Sequence, residues 1–152
     1  MKIAIGADHA GWQVKETLVK LLRQEGHTVQ DVGTFSGDVP VDYPDYAYKV
    51  ARLVAQGEFE RGILVCGSGV GVSIAANKVK GIRAALASSV ELARLSRAHN
   101  NSNVLALGAR LTDLNTTIKI VKTWLTTEFE AGRHQQRVSK IAKLEEGEGF
   151  SK

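Results

Sequence analysis

Cysteine is nearly absent: Cys66 is the one thiol among 152 residues. No intramolecular disulfide can form, and a lone thiol suits a reducing compartment better than secretion, so a cytoplasmic location is expected. Long apolar runs are missing too. No window approaches the ~20 apolar residues that span a bilayer. The opening Met1-Lys2-Ile3-Ala4-Ile5-Gly6 lacks the basic stretch and apolar core of an export signal. Neither export nor membrane insertion is expected. Two motifs for nucleotide phosphates also fail: Gly-Lys-Ser/Thr occurs nowhere, and the one glycine-rich loop has Val72 where a dinucleotide fingerprint needs its last glycine. The four histidines are scattered, with no His-x-x-x-His, and Cys-x-x-Cys is absent, so neither a bound metal nor a cofactor is expected. A serine-hydrolase elbow is disfavoured because Cys66 stands where a glycine should precede Ser68 by two residues.

The charges give 20 Lys plus Arg against 16 Asp plus Glu, a net +4. They are interspersed, and only the stretch from Arg133 to Lys143 concentrates basic residues, without interleaved aromatics. That favours a local anion site over a nucleic-acid face. A chain of this length can bury roughly two-thirds of its unfolded surface, enough for one self-sufficient core. One domain over 1–152 is expected.

Short β-branched or aliphatic runs at Lys2–Ile5, Thr28–Val32, Gly62–Val65, Arg83–Ala87 and Asn103–Leu107 read as five strands. Between them, apolar residues recur at helical spacing: Val14, Leu18, Leu21 and Leu22; Ala47, Val50, Ala51 and Val54; Leu114, Ile118, Val121 and Leu125. Strict alternation of strand and helix predicts an α/β fold, a three-layer α/β/α sandwich around a Rossmann-like five-stranded parallel sheet. Ligands of such sheets bind beyond the carboxyl ends of the strands. After a break at Glu130-Ala131-Gly132, a short extra C-terminal helix with a thin apolar stripe at Val138, Ile141 and Ala142 is expected to cross a subunit boundary or the sheet edge.

The first strand-to-helix loop carries Asp8 and His9. Asp8 could merely cap the helix that begins near Trp12, whereas His9 has no such structural duty. The third loop, Cys66-Gly67-Ser68-Gly69-Val70-Gly71, reads as a glycine-rich anion cradle whose backbone N–H groups face a ligand. An unpaired cysteine is ordinarily a small buried hydrophobe. A thiol that faces backbone N–H groups is, however, a competent base or nucleophile. No Asp or Glu occurs between Glu60 and Glu91, so Cys66 is the one proton acceptor this loop offers from its own sequence. Ser68 could relay a proton. His99, in the polar run through Asn103, could act as acid or base near neutrality. Arg110 follows the fifth strand at the same edge, and Arg133 and Arg137 lie one helical turn apart, a spacing suited to phosphate. For each arginine a solvated surface position is the ordinary alternative.

Taken together, Gly6-Ala-Asp-His-Ala-Gly11, Asp42-Tyr-Pro-Asp-Tyr-Ala47, Cys66-Gly-Ser-Gly-Val-Gly71 followed by Ile-Ala-Ala-Asn-Lys78, Ser96-Arg-Ala-His-Asn100 and Gly132-Arg-His-Gln-Gln-Arg137 resemble the B-type ribose 5-phosphate isomerase family. The same superfamily includes allose and galactose 6-phosphate isomerases. The resemblance implies interconversion of an aldose phosphate and its ketose through an enediolate, without metal. By the same likeness Cys66 would move the proton between C2 and C1, the amides of Gly67, Gly69, Val70 and Gly71 would hold the enediolate oxygen, and Ser68 would assist between O1 and O2. Asp8 and His99 would serve ring opening, Tyr43 and Asn100 would lie near the sugar, and His9, Arg110, Arg133 and Arg137 would anchor the phosphate. A homodimer or homotetramer is implied, residues 133–152 reaching a partner subunit. A different class also fits the fold pattern: a non-catalytic phosphate or nucleotide sensor, which would bind without exchanging protons.

Overall fold

The computed structural model describes residues 1–147 and 149. Five strands form one sheet: β1 (Lys2–Ala7), β2 (Thr28–Asp31), β3 (Arg61–Cys66), β4 (Ala84–Leu86) and β5 (Val104–Gly108). Their order is β2-β1-β3-β5-β4 and every pairing is parallel. Helices α1 (Trp12–Gln24), α2 (Tyr43–Ala55), α3 (Val70–Ala76), α4 (Val90–Ala98) and α5 (Leu114–Thr126) alternate with the strands, and α6 (Gly132–Leu144) follows. This is the expected three-layer architecture. All five strand boundaries nevertheless shift. β1 and β3 run longer than the apolar runs because their pairing continues to Ala7 opposite Val65. β4 is shorter than the expected Arg83–Ala87, since the Arg83 N–H donates to the Asn103 side chain instead of joining the ladder.

The two faces of the sheet differ in grain. Ile3, Ile5, Ile63, Val65, Leu105 and Leu107 point to one side, where Leu18, Leu22, Ile120 and Trp124 from α1 and α5 close a large-residue core. Several alternate positions are small: Ala4, Gly6 and Gly62 let α2 approach closely. A β-carbon on Gly62 would sit 2.7 Å from a Val50 methyl, so bulk there would force the helix off the sheet. Leu64 and Cys66, two apart on β3, share this α2–α3 face. Alternation within the strand therefore fixes the side to which the thiol points.

The C-terminal helix corrects one expectation. It is a full 13 residues and begins at Gly132, so Arg133-His134-Gln135-Gln136-Arg137 lies within it rather than leading into a short one. Ala131 and Gly132 both take positive φ, 55° and 49°, which turns the chain out of the sheet layers. The Glu145 carboxylate accepts from the Gly81 N–H in the loop before β4, so α6 runs across the amino-terminal ends of the strands.

Candidate active site

Strand order reverses between β1 and β3, where α1 and α3 leave on opposite faces. That divergence opens the crevice typical of doubly wound sheets. A cavity of about 330 Å³ lies there, lined by Asp8, Tyr43, Cys66, Gly67, Ser68, Gly71, Arg110 and Leu111. Each comes from the carboxyl end of a strand or the first turn of a helix.

The glycine loop has a backbone that L side chains could not follow. Gly69 has φ +82°, and a β-carbon there would lie 2.5 Å from the Leu86 side chain and 2.9 Å from the Leu107 carbonyl carbon. Gly71 packs under the Tyr43 ring, whose Cζ would be 2.6 Å from an added β-carbon. The loop folds back on the thiol: the Gly69 N–H donates to Cys66 Sγ at 3.2 Å. Cys66 is 4% exposed yet borders the cavity. The first helical bond of α3 is donated by Ser73, so the N–H groups of Gly71 and Val72 have no helical acceptor. Ser68 Oγ accepts from the Val70 N–H at 3.2 Å, which leaves its own proton to donate elsewhere.

Three further groups close the crevice. Arg110 is seated beside Gly67 because the Ala109 and Arg110 N–H groups donate to the carbonyls of Cys66 and Gly67. Asp8 is buried and accepts from the Gly11 N–H at 3.0 Å. Gly11 itself is the N-cap of α1 and no side chain caps it, so Asp8 braces the turn before the helix rather than capping it. Tyr43 starts α2, with Pro44 in the first turn. His9 does not border the cavity: its Nδ1 accepts from the Val41 N–H at 3.1 Å, tying the first loop to the segment before α2. Gly69 donates to the thiol and Val70 to Ser68, and neither borders the cavity.

The remaining sequence candidates lie at the opposite edge. His99 caps the carboxyl end of α4 and precedes β5, which places it at the amino-terminal ends of the parallel strands, away from Cys66. Arg97 fixes this turn. Its guanidinium donates to Asn101 Oδ1 at 2.9 Å and to the carbonyls of Ser102 and Thr127. Burial, then the charges of Arg61 and Arg83, push its pKa down to about 10. Arg133 and Arg137 follow on α6, where the His134 ring stacks on His99 with centroids 4.1 Å apart. The four histidines are thus not all scattered: residues 35 positions apart in sequence meet face to face. Glu130 Oε2 lies 3.7 Å from Nε2 of each ring. Asn100 opens on a separate cavity of about 280 Å³ with Arg83 and Ile141. One chain therefore carries two separate clusters of candidate residues, a thiol and glycine loop at one end of the sheet and two histidines, with two arginines on the same helix as one of them, at the other.

Sequence reading missed Leu111, which borders the upper cavity only because it follows Arg110 around the turn. It also missed the partnership of Glu130 with His134, although their spacing of four on a helical approach was a usable signal.

Comparison with known proteins places the fold in a family. Residues 3–141 match the family model described as Ribose/Galactose Isomerase. Ribose-5-phosphate isomerase B of Escherichia coli K12 is 50% identical over 145 residues, covering 95% of this chain and 97% of that protein. The structure of Clostridium thermocellum ribose-5-phosphate isomerase B superposes with a TM-score of 0.95 at 50% identity, covering 97% of this chain and 99% of that one. The Mycoplasma genitalium enzyme, solved with bound ribulose-5-phosphate, gives 0.93 at 43% identity, covering 97% of each chain. With the family model spanning nearly the whole fold and the cradle, thiol and tail motifs all in place, the chain belongs to the ribose/galactose isomerase family.

Proposed function

We propose that the chain is an aldose–ketose isomerase that interconverts ribose 5-phosphate and ribulose 5-phosphate, with Cys66 as the base. The observation that carries this reading is the thiol at the end of β3, bordering a cavity shared with Arg110, Asp8 and the Gly67–Gly71 loop. In the reaction, the Cys66 thiolate takes the proton from C2, and the C–H electron pair becomes the C1–C2 double bond as O1 gains charge. The enediolate so formed meets the backbone N–H groups of the Gly67–Gly71 loop, which is where developing charge needs fixed donors. Cys66 then returns its proton to C1, while Ser68 carries the hydroxyl proton between O2 and O1. Asp8 and His99 assist opening of the sugar ring, with Tyr43 and Asn100 against the sugar. His9, Arg110, Arg133 and Arg137 anchor the phosphate.

Cys66 and Arg137 lie at opposite ends of one sheet, so a complete site draws on two copies of the chain, the 133–152 segment of one serving the cavity of the other. Exposed Val70, Ile74 and Leu86, around α3 and the edge strand β4, supply apolar surface for such a contact. The reading includes a single functional domain, a homodimer or homotetramer, and a cytoplasmic setting. Among the described residues no helix is long and apolar enough to cross a membrane.

The test is to incubate purified protein with ribose 5-phosphate, allose 6-phosphate and galactose 6-phosphate in deuterated water. Ketose formation from the ribose ester with deuterium entering at C1 or C2 is expected. Binding without exchange would leave a sensor. The assembly is tested by mixing Cys66→Ala and Arg137→Ala chains. Random pairing makes half the dimers mixed, each with one intact site of two, so about a quarter of wild-type turnover returns; activity no greater than either variant alone would refute sharing.

A further inference from the structure

The pair of stacked imidazoles has a role that the proton-transfer scheme leaves open. We propose that His134 and Glu130 are positioning residues for His99: the His134 ring fixes the plane of the His99 ring, and the Glu130 carboxylate favours a single proton shared between the two rings and available on His99. This rests on the reading of His99 as an acid or base for the sugar.

The stack has centroids 4.1 Å apart and planes inclined by 13°. Two imidazolium rings at that separation repel, so the pair favours one proton over two. The carboxylate oxygen 3.7 Å from both Nε2 atoms stabilises that one proton. His134 is the poorer carrier. It is buried, and burial first, then His99, Arg133 and Arg137, hold its pKa below the usual imidazole value, with Glu130 opposing. His99 is more open, with its side chain 36% exposed. The other charged groups around the pair are Glu91 and Arg94 of α4, which bond to one another at 2.7 Å, and Arg133 and Arg137 of α6.

The same trio of His99, Glu130 and His134 brings its donor atoms within 4.8 Å of one another, close enough to suggest a metal centre. Ring direction argues against it. An imidazole binds a metal along its own plane, and two nearly parallel rings stacked face to face cannot both aim in-plane lone pairs at one point.

The experiment compares wild type with Glu130→Gln, His134→Phe and His134→Ala in the isomerase assay and in ¹⁵N-imidazole titrations. Glu130 is exposed, so its amide variant keeps the fold. Loss of the carboxylate charge is expected to move the imidazole titration of the stacked pair, and the kcat/KM limb that follows it, to lower pH. His134→Phe keeps the stack and should retain kcat within about threefold. His134→Ala should lose at least tenfold in kcat with KM changed less than threefold. Superimposable His99 titrations in wild type and Glu130→Gln, or equal kcat in the Phe and Ala variants, would overturn the proposal. So would micromolar one-to-one Zn²⁺ binding by the wild type that Glu130→Gln abolishes. If wild type fails to isomerise any sugar phosphate, the functional reading has failed, whereas an active wild type with an unmoved His99 ring refutes this inference alone.

Discussion

Replacing Cys66 with alanine separates chemistry from folding, because the structure lets the two costs be reckoned apart. The side chain loses one heavy atom that is almost wholly buried, worth about 1 kcal/mol of packing. The Gly69 N–H loses its 3.2 Å acceptor, worth about 1 kcal/mol more. A loss of about 2 kcal/mol leaves a typical domain folded at 25 °C. Turnover is affected on another scale. A positioned base contributes about 10²–10⁴-fold, equal to about 2.7–5.4 kcal/mol in the barrier at 1.36 kcal/mol per decade. The expected variant melts a few degrees early, binds ribose 5-phosphate within about threefold of wild type by calorimetry, and isomerises it at least a hundredfold more slowly. Deuterium exchange should fall in parallel with ketose formation. Turnover within fivefold of wild type would remove the thiol from the mechanism, since the loop offers no carboxylate or second thiol to replace it.

Gly69→Ala combines a positive φ with a β-carbon 2.5 Å from Leu86; a loss of about 2–3 kcal/mol in urea unfolding is expected, and an unchanged midpoint would refute the strain. Lys15 is fully buried and held by Asp31 at 2.6 Å and Glu16 at 2.7 Å. Asp31→Ala strips one anion from a buried ammonium and should cost about 3 kcal/mol, read by thermal unfolding. His134 gives a pH dependence. Its folded pKa lies below the unfolded imidazole value, chiefly through burial, so the unfolded chain binds the extra proton and stability falls as pH drops through about 6.5. Wild type should therefore lose stability between pH 7 and pH 5 more steeply than His134→Phe; parallel curves would show that the ring titrates alike in both states.

The α/β alternation was legible because helices between the strands carry their own apolar stripes, as Leu18 and Leu22 of α1 or Val50 and Val54 of α2 show. Strand ends were less so, because a ladder continues wherever a partner carbonyl stands opposite, and Ala7 and Cys66 have no residue signature that announces it. Within the candidate site, Cys66 and its glycines are contiguous in sequence, so a local motif reveals them, and Arg110 was reachable because it directly follows the fifth strand. Nothing local could show that His99 and His134 meet, since that contact depends on the left-handed turn at Ala131 and Gly132 aiming α6 back across the strand ends. The same turn carries Arg133 and Arg137 away from the chain's own thiol. A helix so placed has little apolar surface of its own to bury and carries Arg133 and Arg137 one turn apart. Cations gathered along an exposed helix repel one another and gain when an anion is brought between them. The proposed phosphate in a neighbouring copy's cavity is such an anion, so substrate binding and subunit pairing should reinforce each other: the proposed dimer should already dissociate at a higher protein concentration without sugar phosphate than with it. Sedimentation with and without ribulose 5-phosphate measures this, and identical dissociation curves would mean that the α6 arginines never reach the ligand.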